Sequence, residues 1–229
     1  MTPVTQDDLN HMWRVLLNRE HRVLVSVAHK VAITEWIRLF LRMDGFAEWK
    51  TADVHYLPRL PAFCHLGTDE AQRIMSSDSW TRIIVFRDPA ERLLSAYLNR
   101  IGTAEKSFEE FIDSIGDIDS CDMHWISQWT WNRNSKFFRH YNQHVDLANS
   151  YADAKRVLLP TGCWKRFCAS GWGSSGNLEF MQDRGEHPTF ANNKIPFFYT
   201  PELRARVETL YAQDYAMIGA LRARDASSQ

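Results

Sequence analysis

The sequence predicts an α/β fold: a three-layer arrangement in which a central, mainly parallel sheet is flanked by helices. Two short, almost wholly apolar runs, RVLVSV at residues 22–27 and TRIIVF at residues 81–86, have the character of strands buried on both faces. Each is followed within a few residues by apolar positions at helical spacing, the alternation that builds βαβ units. A chain of 229 residues that is 45% hydrophobic and 24% charged can also bury one sizeable core.

Taken in order, TEWIRLFLRM (residues 34–43) places Trp36, Ile37, Leu39, Phe40 and Met43 on a helical stripe, with Thr34 as its cap. ADVHYL (residues 52–57) reads as a second strand and TDEAQRIMSS (residues 68–77) as a short helix. After the strand at 81–86, Asp88 serves as N-cap, Pro89 takes the first helical position and Glu91 completes a capping-box variant. On that helix Leu93, Leu94, Tyr97 and Ile101 face inward, which leaves Arg92, Ser95 and Asn99 along a polar side. Residues 108–151 are rich in Trp, His and Asn with poor periodicity, which predicts helical pieces and long loops over the sheet. SGWGSSGN (residues 170–177) reads as a mobile loop. In TPELRARVETLYAQDYAMIGALRA (residues 200–223) Thr200 caps a closing helix, Pro201 starts it, and Leu203, Val207, Leu210, Tyr211 and Ile218 share a face; RDASSQ frays. With no repeat or linker, residues 1–229 read as a single domain with a core of about 22–220.

A formal net charge of −1 and a pI near 6.8 leave no electrostatic footprint for nucleic acid, so any anion site must be local. Cys64, Cys121, Cys163 and Cys168 have no CxxC spacing and join the histidines in no metal-ligand pattern, so they read as thiols and no metal is expected. The first twenty residues carry acids and lack an apolar signal-peptide core, and no run reaches the ~18 apolar residues of a membrane span. The chain therefore reads as soluble and cytoplasmic, without a transmembrane anchor.

Two segments are built to hold anions. Arg87 ends a strand at its carboxyl end, where open α/β sheets bind ligands. Ser95 lies about two turns up the following helix, roughly 10 Å from its start, so a guanidinium fork and a hydroxyl can converge on one phosphate. Pairing of Arg87 with Asp88 or Glu91 is the plain alternative. The second segment, VAHKVAITEW (residues 27–36), turns from a strand through Lys30 into a helix, presenting backbone N–H groups and the positive end of the helix dipole. It is P-loop-like in layout but lacks the GxxxxGKS/T pattern, since no glycine occurs between Val23 and Met43.

Together the two segments resemble the sulfotransferases that use 3'-phosphoadenosine 5'-phosphosulfate, and among them the family-2, carbohydrate type. The family's 5'-phosphosulfate loop, approximately PKxGCTNW, is similar to His29-Lys30-Val31-Ala32-Ile33-Thr34-Glu35-Trp36, and its 3'-phosphate motif, approximately RxPxERLxSAY, is matched at every fixed position by RDPAERLLSAY. DMHWISQ (residues 122–128) is similar to the family's HWxPQ segment, and FYTPEL to its closing YYTPEL. The resemblance implies that Arg87 and Ser95 hold the 3'-phosphate, and that the backbone N–H groups of Val31, Ala32, Ile33 and Thr34, with the Thr34 hydroxyl, hold the 5'-phosphate. Lys30 would neutralise the departing oxygen and His124 would act as general base. His124 in a packed cluster with Trp129 and Trp131 is the alternative, and Glu35 is a rival base. Lys194 is a further cation that reaches a phosphate from a late loop.

The resemblance also has gaps. His29, Ala32 and Ile33 replace the family's proline, glycine and cysteine, which restricts a backbone that glycine would free. The strand expected after the HW segment is hardly recognisable in YNQHVDLANSYADAKRVL. The function implied is transfer of a sulfuryl group to a hydroxyl of a carbohydrate or small natural product. The alternatives are a P-loop-like kinase and a catalytically silent nucleotide-binding domain.

Overall fold

The computed structural model describes residues 2–54, 62–102, 105–182 and 189–226. Four strands form one sheet in the order β1 (Val15–Asn18), β2 (Val23–Ser26), β3 (Thr81–Phe86), β4 (Gln143–Asp146). Val25 lies opposite Ile83 and Ile83 opposite Gln143 in the parallel pairs, whereas β1 runs antiparallel to β2. The sheet is thus mixed, with a parallel β2–β3–β4 part.

Around it lie α1 (Gln6–His11), α2 (Ile33–Met43), α3 (Thr68–Ser76), α4 (Pro89–Arg100), α5 (Phe108–Ser114), α6 (Asn134–Phe137), α7 (Ser150–Leu158), α8 (Ala191–Phe198), α9 (Pro201–Leu210) and α10 (Ala212–Ala226). Successive strand residues point to opposite faces, and the two faces carry separate cores. Val23, Val25, Ile83, Val85 and Val145 pack on Trp36, Ile37 and Phe40 of α2 with Val157 of α7. Leu24, Ile84 and Phe86 pack on Leu9 of α1, Ile74 of α3 and Met217 and Leu221 of α10. Each fully buried aliphatic or aromatic side chain in these cores contributes about 1.5–3 kcal/mol. A third cluster joins Leu93, Leu94 and Tyr97 of α4 to Phe108 and Phe111 of α5 and Leu203 and Val207 of α9.

Several expectations are corrected. β1 and β4 are both short strands absent from the sequence prediction; β4 sits where the family's recognisable strand is missing, and only its pairing with β3 defines it. In ADVHYL, residues 52–54 form a turn, and residues 55–57 lie outside the described residues. Thr34 is not the cap of α2: Ala32 is, and its carbonyl accepts the N–H groups of Glu35 and Trp36 at 3.1 and 3.2 Å. The closing helix is two helices. α9 packs on α4 while α10 packs on the sheet, and the chain bends at the buried Tyr211 to serve both. The helix persists to Ala226, past the point where fraying was expected.

The Gly/Ser-rich loop is pinned. Arg42 Nη1 donates to the Phe167 and Ser170 carbonyls at 2.6 and 2.7 Å, with its guanidinium 4.7 Å from the Trp49 ring centroid. The N-caps of α4 and α9 are as expected: Asp88 accepts from the Glu91 N–H at 3.0 Å, and Thr200 from that of Leu203 at 3.2 Å. The capping box expected of Glu91 does not close, because its carboxylate accepts from Arg87 Nε at 3.4 Å instead.

Candidate functional site

The site gathers where β2 and β3 end. After β2 the chain passes through His29, Lys30 and Val31 to the start of α2. Lys30 and Ala32 both take left-handed backbone angles, φ 67° and 63°, which cost an L-residue about 1–2 kcal/mol each. Burial of Val31, Ile33 and Trp36 holds the loop there. Their side chains enter the core, so this loop offers a ligand its backbone and the side chains of Lys30 and Thr34. The first N–H groups of α2 have no intrahelical acceptor, and the helix dipole places positive charge there.

β3 delivers Arg87 beside this loop. Its Nη1 donates to the Lys30 carbonyl at 3.3 Å and its Nε to Glu91 at 3.4 Å, so the Glu91 pairing and the approach to Lys30 coexist. The Arg87 backbone is clasped by Gln128: its N–H donates to Gln128 Oε1 at 3.0 Å, and its carbonyl accepts from Gln128 Nε2 at 2.9 Å. A side-chain amide thus continues the ladder where β3 stops.

α4 supplies a second wall. Ser95 is buried and its hydroxyl lies 2.9 Å from that of Thr189. One turn on, Asn99 Oδ1 accepts from Lys30 Nζ at 2.8 Å. Arg92 departs from the predicted polar side: it is fully buried, and donates from Nε to the His29 carbonyl at 2.9 Å and from Nη1 to the Ile126 carbonyl at 2.7 Å. It welds the Lys30 loop to the segment that carries His124. Burial, and then the charges of Arg87, Arg100 and Arg92, push the Lys30 ammonium down to about 8.

His124 stands in a turn with Nδ1 2.6 Å from Asp122 Oδ1. Its ring centroid is 4.8 Å from that of His29, which in turn meets Trp131 edge-on at 5.4 Å. Trp129 belongs to a different packing unit, against Phe138 at 5.4 Å. Burial holds the His124 imidazole below its ordinary range, Arg100 and Lys30 add to that, and Asp122 opposes it.

The segment after His124 is fixed from the far end of the chain. Asp214 on α10 accepts the backbone N–H groups of Gln128 and Trp129 at 2.9 and 2.8 Å. Burial raises its carboxyl, while Arg92 and these hydrogen bonds pull the other way. A cavity of about 400 Å³ opens at the carboxyl ends of β3 and β4, and Arg87, Asp88, Asp146, Arg204 and Arg222 are among its lining residues. In it Arg204 meets Asp88 at 3.4 Å and Arg222 meets Asp146 at 2.6 Å, so cations and acids alternate around the walls.

A protein-family model, the sulfotransferase family, matches residues 13–218. The chain belongs to that family. Carbohydrate sulfotransferase 8 of Mus musculus is 31% identical over 98 residues, 39% of this chain and 22% of the relative. The Homo sapiens protein of the same name is 31% identical over 96 residues with the same shares. The chain thus spans 22% of the length of these curated relatives. No solved structure matches it at a comparable level of significance.

Within this family member, Lys30, Val31, Ala32, Ile33, Thr34 and Arg87 come together at the ends of β2 and β3, with Ser95 on the adjoining α4. His124 is connected to them through the ring of His29. Glu35 meets Arg38 of its own helix at 3.4 Å. Lys194 lies on α8, not on a loop. Among the described residues no group of His, Cys, Asp or Glu is arranged to hold a metal ion, and no helix is long and apolar enough to cross a membrane. The four cysteines are free. Sequence reasoning missed Asp122, Gln128, Arg92 and Asp214 as parts of the site. The first two sit at the ends of the DMHWISQ stretch and the third in the ERL motif, so their positions were in view without their roles. Asp214 carried no signal in a helical stretch.

Proposed function

We propose that this chain is a sulfotransferase that moves a sulfuryl group from 3'-phosphoadenosine 5'-phosphosulfate to a hydroxyl of a carbohydrate or small natural product, and that residues 1–229 act as one P-loop-like sulfotransferase domain with its core at about 22–220. The observation that carries this is the meeting of Lys30 and Arg87 at the carboxyl ends of two adjacent parallel strands. The residues present suit a donor with phosphates at both ends of its nucleoside: burial lowers the Lys30 ammonium, and three arginines, Arg87, Arg100 and Arg92, stand close enough to add to that, an arrangement that a polyanion relieves.

When bound, the donor supplies the sulfuryl group, its sulfur–oxygen bond to the 5'-phosphate breaking as the acceptor oxygen bonds to sulfur. Lys30 neutralises the charge that develops on the departing oxygen. Val31, Ala32, Ile33 and Thr34 offer backbone N–H groups, and Thr34 a hydroxyl, to the 5'-phosphate. Arg87 and Ser95 take the 3'-phosphate, the group that separates this nucleotide from ADP and ATP. His124 accepts the proton of the attacking hydroxyl. As in phosphoryl transfer, the protein contributes chiefly position and electrostatics.

A thermal-shift titration tests the proposal, with 3'-phosphoadenosine 5'-phosphate run beside ADP and ATP-magnesium on wild type and Arg87→Ala. At ~100 times its dissociation constant a ligand adds about 2.7 kcal/mol, a rise in Tm of roughly 5–10 °C for a chain of this size. Stabilisation by the 3'-phosphorylated nucleotide alone, lost in Arg87→Ala, is the expected result. Equal stabilisation by ATP-magnesium would replace the proposal with a kinase.

A further inference from the structure

Asp122 is joined to His124 twice. Its Oδ1 accepts the backbone N–H of His124 at 2.8 Å and lies 2.6 Å from the ring Nδ1. The turn is closed by the N–H groups of Trp125 and Ile126, which donate to the Asp122 carbonyl at 3.0 and 2.8 Å. Ile126 is in turn held by Arg92, which also holds His29. The imidazole therefore sits in a built slot, with a carboxylate at one edge and the His29 ring 4.8 Å away.

The chemistry of the pair fixes the tautomer. Burial works against ionisation of Asp122, but the hydrogen bonds from the His124 backbone and ring, with the charges of His124 and Arg100, hold its carboxyl below the usual range. An ionised carboxylate only accepts hydrogen bonds, so Nδ1 carries the proton and Nε2 the free lone pair. The charged groups that face the ring are Asp122, Arg100 and Lys30, and His29 is its other titratable neighbour.

We propose that Asp122 is the positioning residue of this site, holding His124 in the tautomer whose Nε2 accepts the acceptor's proton and stabilising the imidazolium that results. The proposal rests on His124 being the general base. As the acceptor oxygen bonds to sulfur, its proton passes to Nε2. The sulfur–oxygen bond of the donor breaks with its electron pair going to the 5'-phosphate oxygen. Asp122 stays ionised throughout and faces the new positive charge across Nδ1–H.

The test reads the ring itself. Long-range ¹H–¹⁵N spectra of the full ¹⁵N-labelled chain, recorded from pH 5 to 9, report the tautomer and pKa of each imidazole, and His124→Gln assigns the His124 signals. In wild type the neutral ring is expected as the Nδ1–H form. Asp122→Asn is expected to shift the mixture toward Nε2–H and to lower the ring's pKa. Asp122→Ser keeps a short oxygen for the His124 backbone N–H and is expected to do the same, which guards against a folding defect in the amide variant. An unchanged tautomer and pKa in both variants overturns the proposal.

Hydrolytic release of 3'-phosphoadenosine 5'-phosphate from the donor is measured alongside, with binding of that product as the control for an intact site. A fall of about 10²–10⁴-fold in His124→Gln, and of at least about tenfold in Asp122→Asn at unchanged product affinity, supports it. Unchanged turnover in His124→Gln together with a shifted tautomer in Asp122→Asn overturns the base assignment alone and leaves the hold of Asp122 on the ring established.

Discussion

Replacing Arg92 by methionine removes a buried side chain that ties the Lys30 loop to the His124 segment. Its guanidinium is fully buried and donates to two carbonyls, those of His29 and Ile126, at 2.9 and 2.7 Å. Hydrogen bonds from a charged group are worth about 1.5–3 kcal/mol each, so the pair amounts to about 3–6 kcal/mol. Methionine spares the chain the desolvation of a buried cation, which brings the net loss to about 2–4 kcal/mol. In a chain of this length each kcal/mol moves Tm by about 2–4 °C, so the melt is expected to fall by about 4–16 °C in calorimetry or circular dichroism. Asp214 loses a compensating charge in the same variant, and its carboxyl, already raised by burial, rises further. Well below the new Tm, affinity for 3'-phosphoadenosine 5'-phosphate is expected to drop at least about tenfold, because the His29 carbonyl no longer holds the loop in register. Arg92→Lys keeps the charge but not the two-pronged reach, so it should fall between. A melt within 2 °C of wild type and an unchanged affinity in Arg92→Met would refute the view of Arg92 as a strut.

Two further outcomes follow from residues of the site and its support. Lys30 titrates at about 8 in the ligand-free chain, lowered first by burial and then by neighbouring arginines. A bound polyanion stabilises its charged form, so binding above pH 8 takes up a proton and weakens as pH rises through that value; calorimetry of 3'-phosphoadenosine 5'-phosphate in buffers of different ionisation enthalpy at pH 8.5 should show the uptake in wild type and lose it in Lys30→Met. Gly171 has φ +89°, and a Cβ there would lie 2.8 Å from Arg42 Nη2, so Gly171→Ala is expected to cost about 2 kcal/mol and lower Tm by about 4–8 °C; a neutral result would show that the Arg42 clamp yields freely.

The central pair of strands was legible because β2 and β3 are buried on both faces, which forces unbroken apolar runs. Their ends were legible for a different reason: Asp88, Pro89 and Glu91 announce a helix start, and two neighbouring parallel strands must bring Lys30 and Arg87 to the same edge. The outer strands were not. β1 is four residues long, and β4 is Gln-His-Val-Asp with a single aliphatic side chain, so tertiary pairing decides them. The start of α2 misled because Thr34 is a better cap than Ala32 by propensity, while burial of Val31, Ile33 and Trp36 sets the backbone instead. Arg92 misled because helical spacing gives a direction and not an environment: the direction was polar, and the environment is a pair of buried carbonyls. The role of Asp214 lies 86 residues from its partner and is visible only in three dimensions.

That last contact bears on how the chain comes to life. A ribosome releases the loops after β2 and β3, and then the histidine turn itself, long before the residues of α10. Until Asp214 arrives to receive the N–H groups of Gln128 and Trp129, the clasp of Gln128 on Arg87 has no rear support. The nascent chain can settle its apolar strands early, as domains do during synthesis, yet the histidine segment is completed only when the closing helix docks. The order of the histidine segment in this molecule is therefore set by the docking of α10, an element made well after the segment it supports.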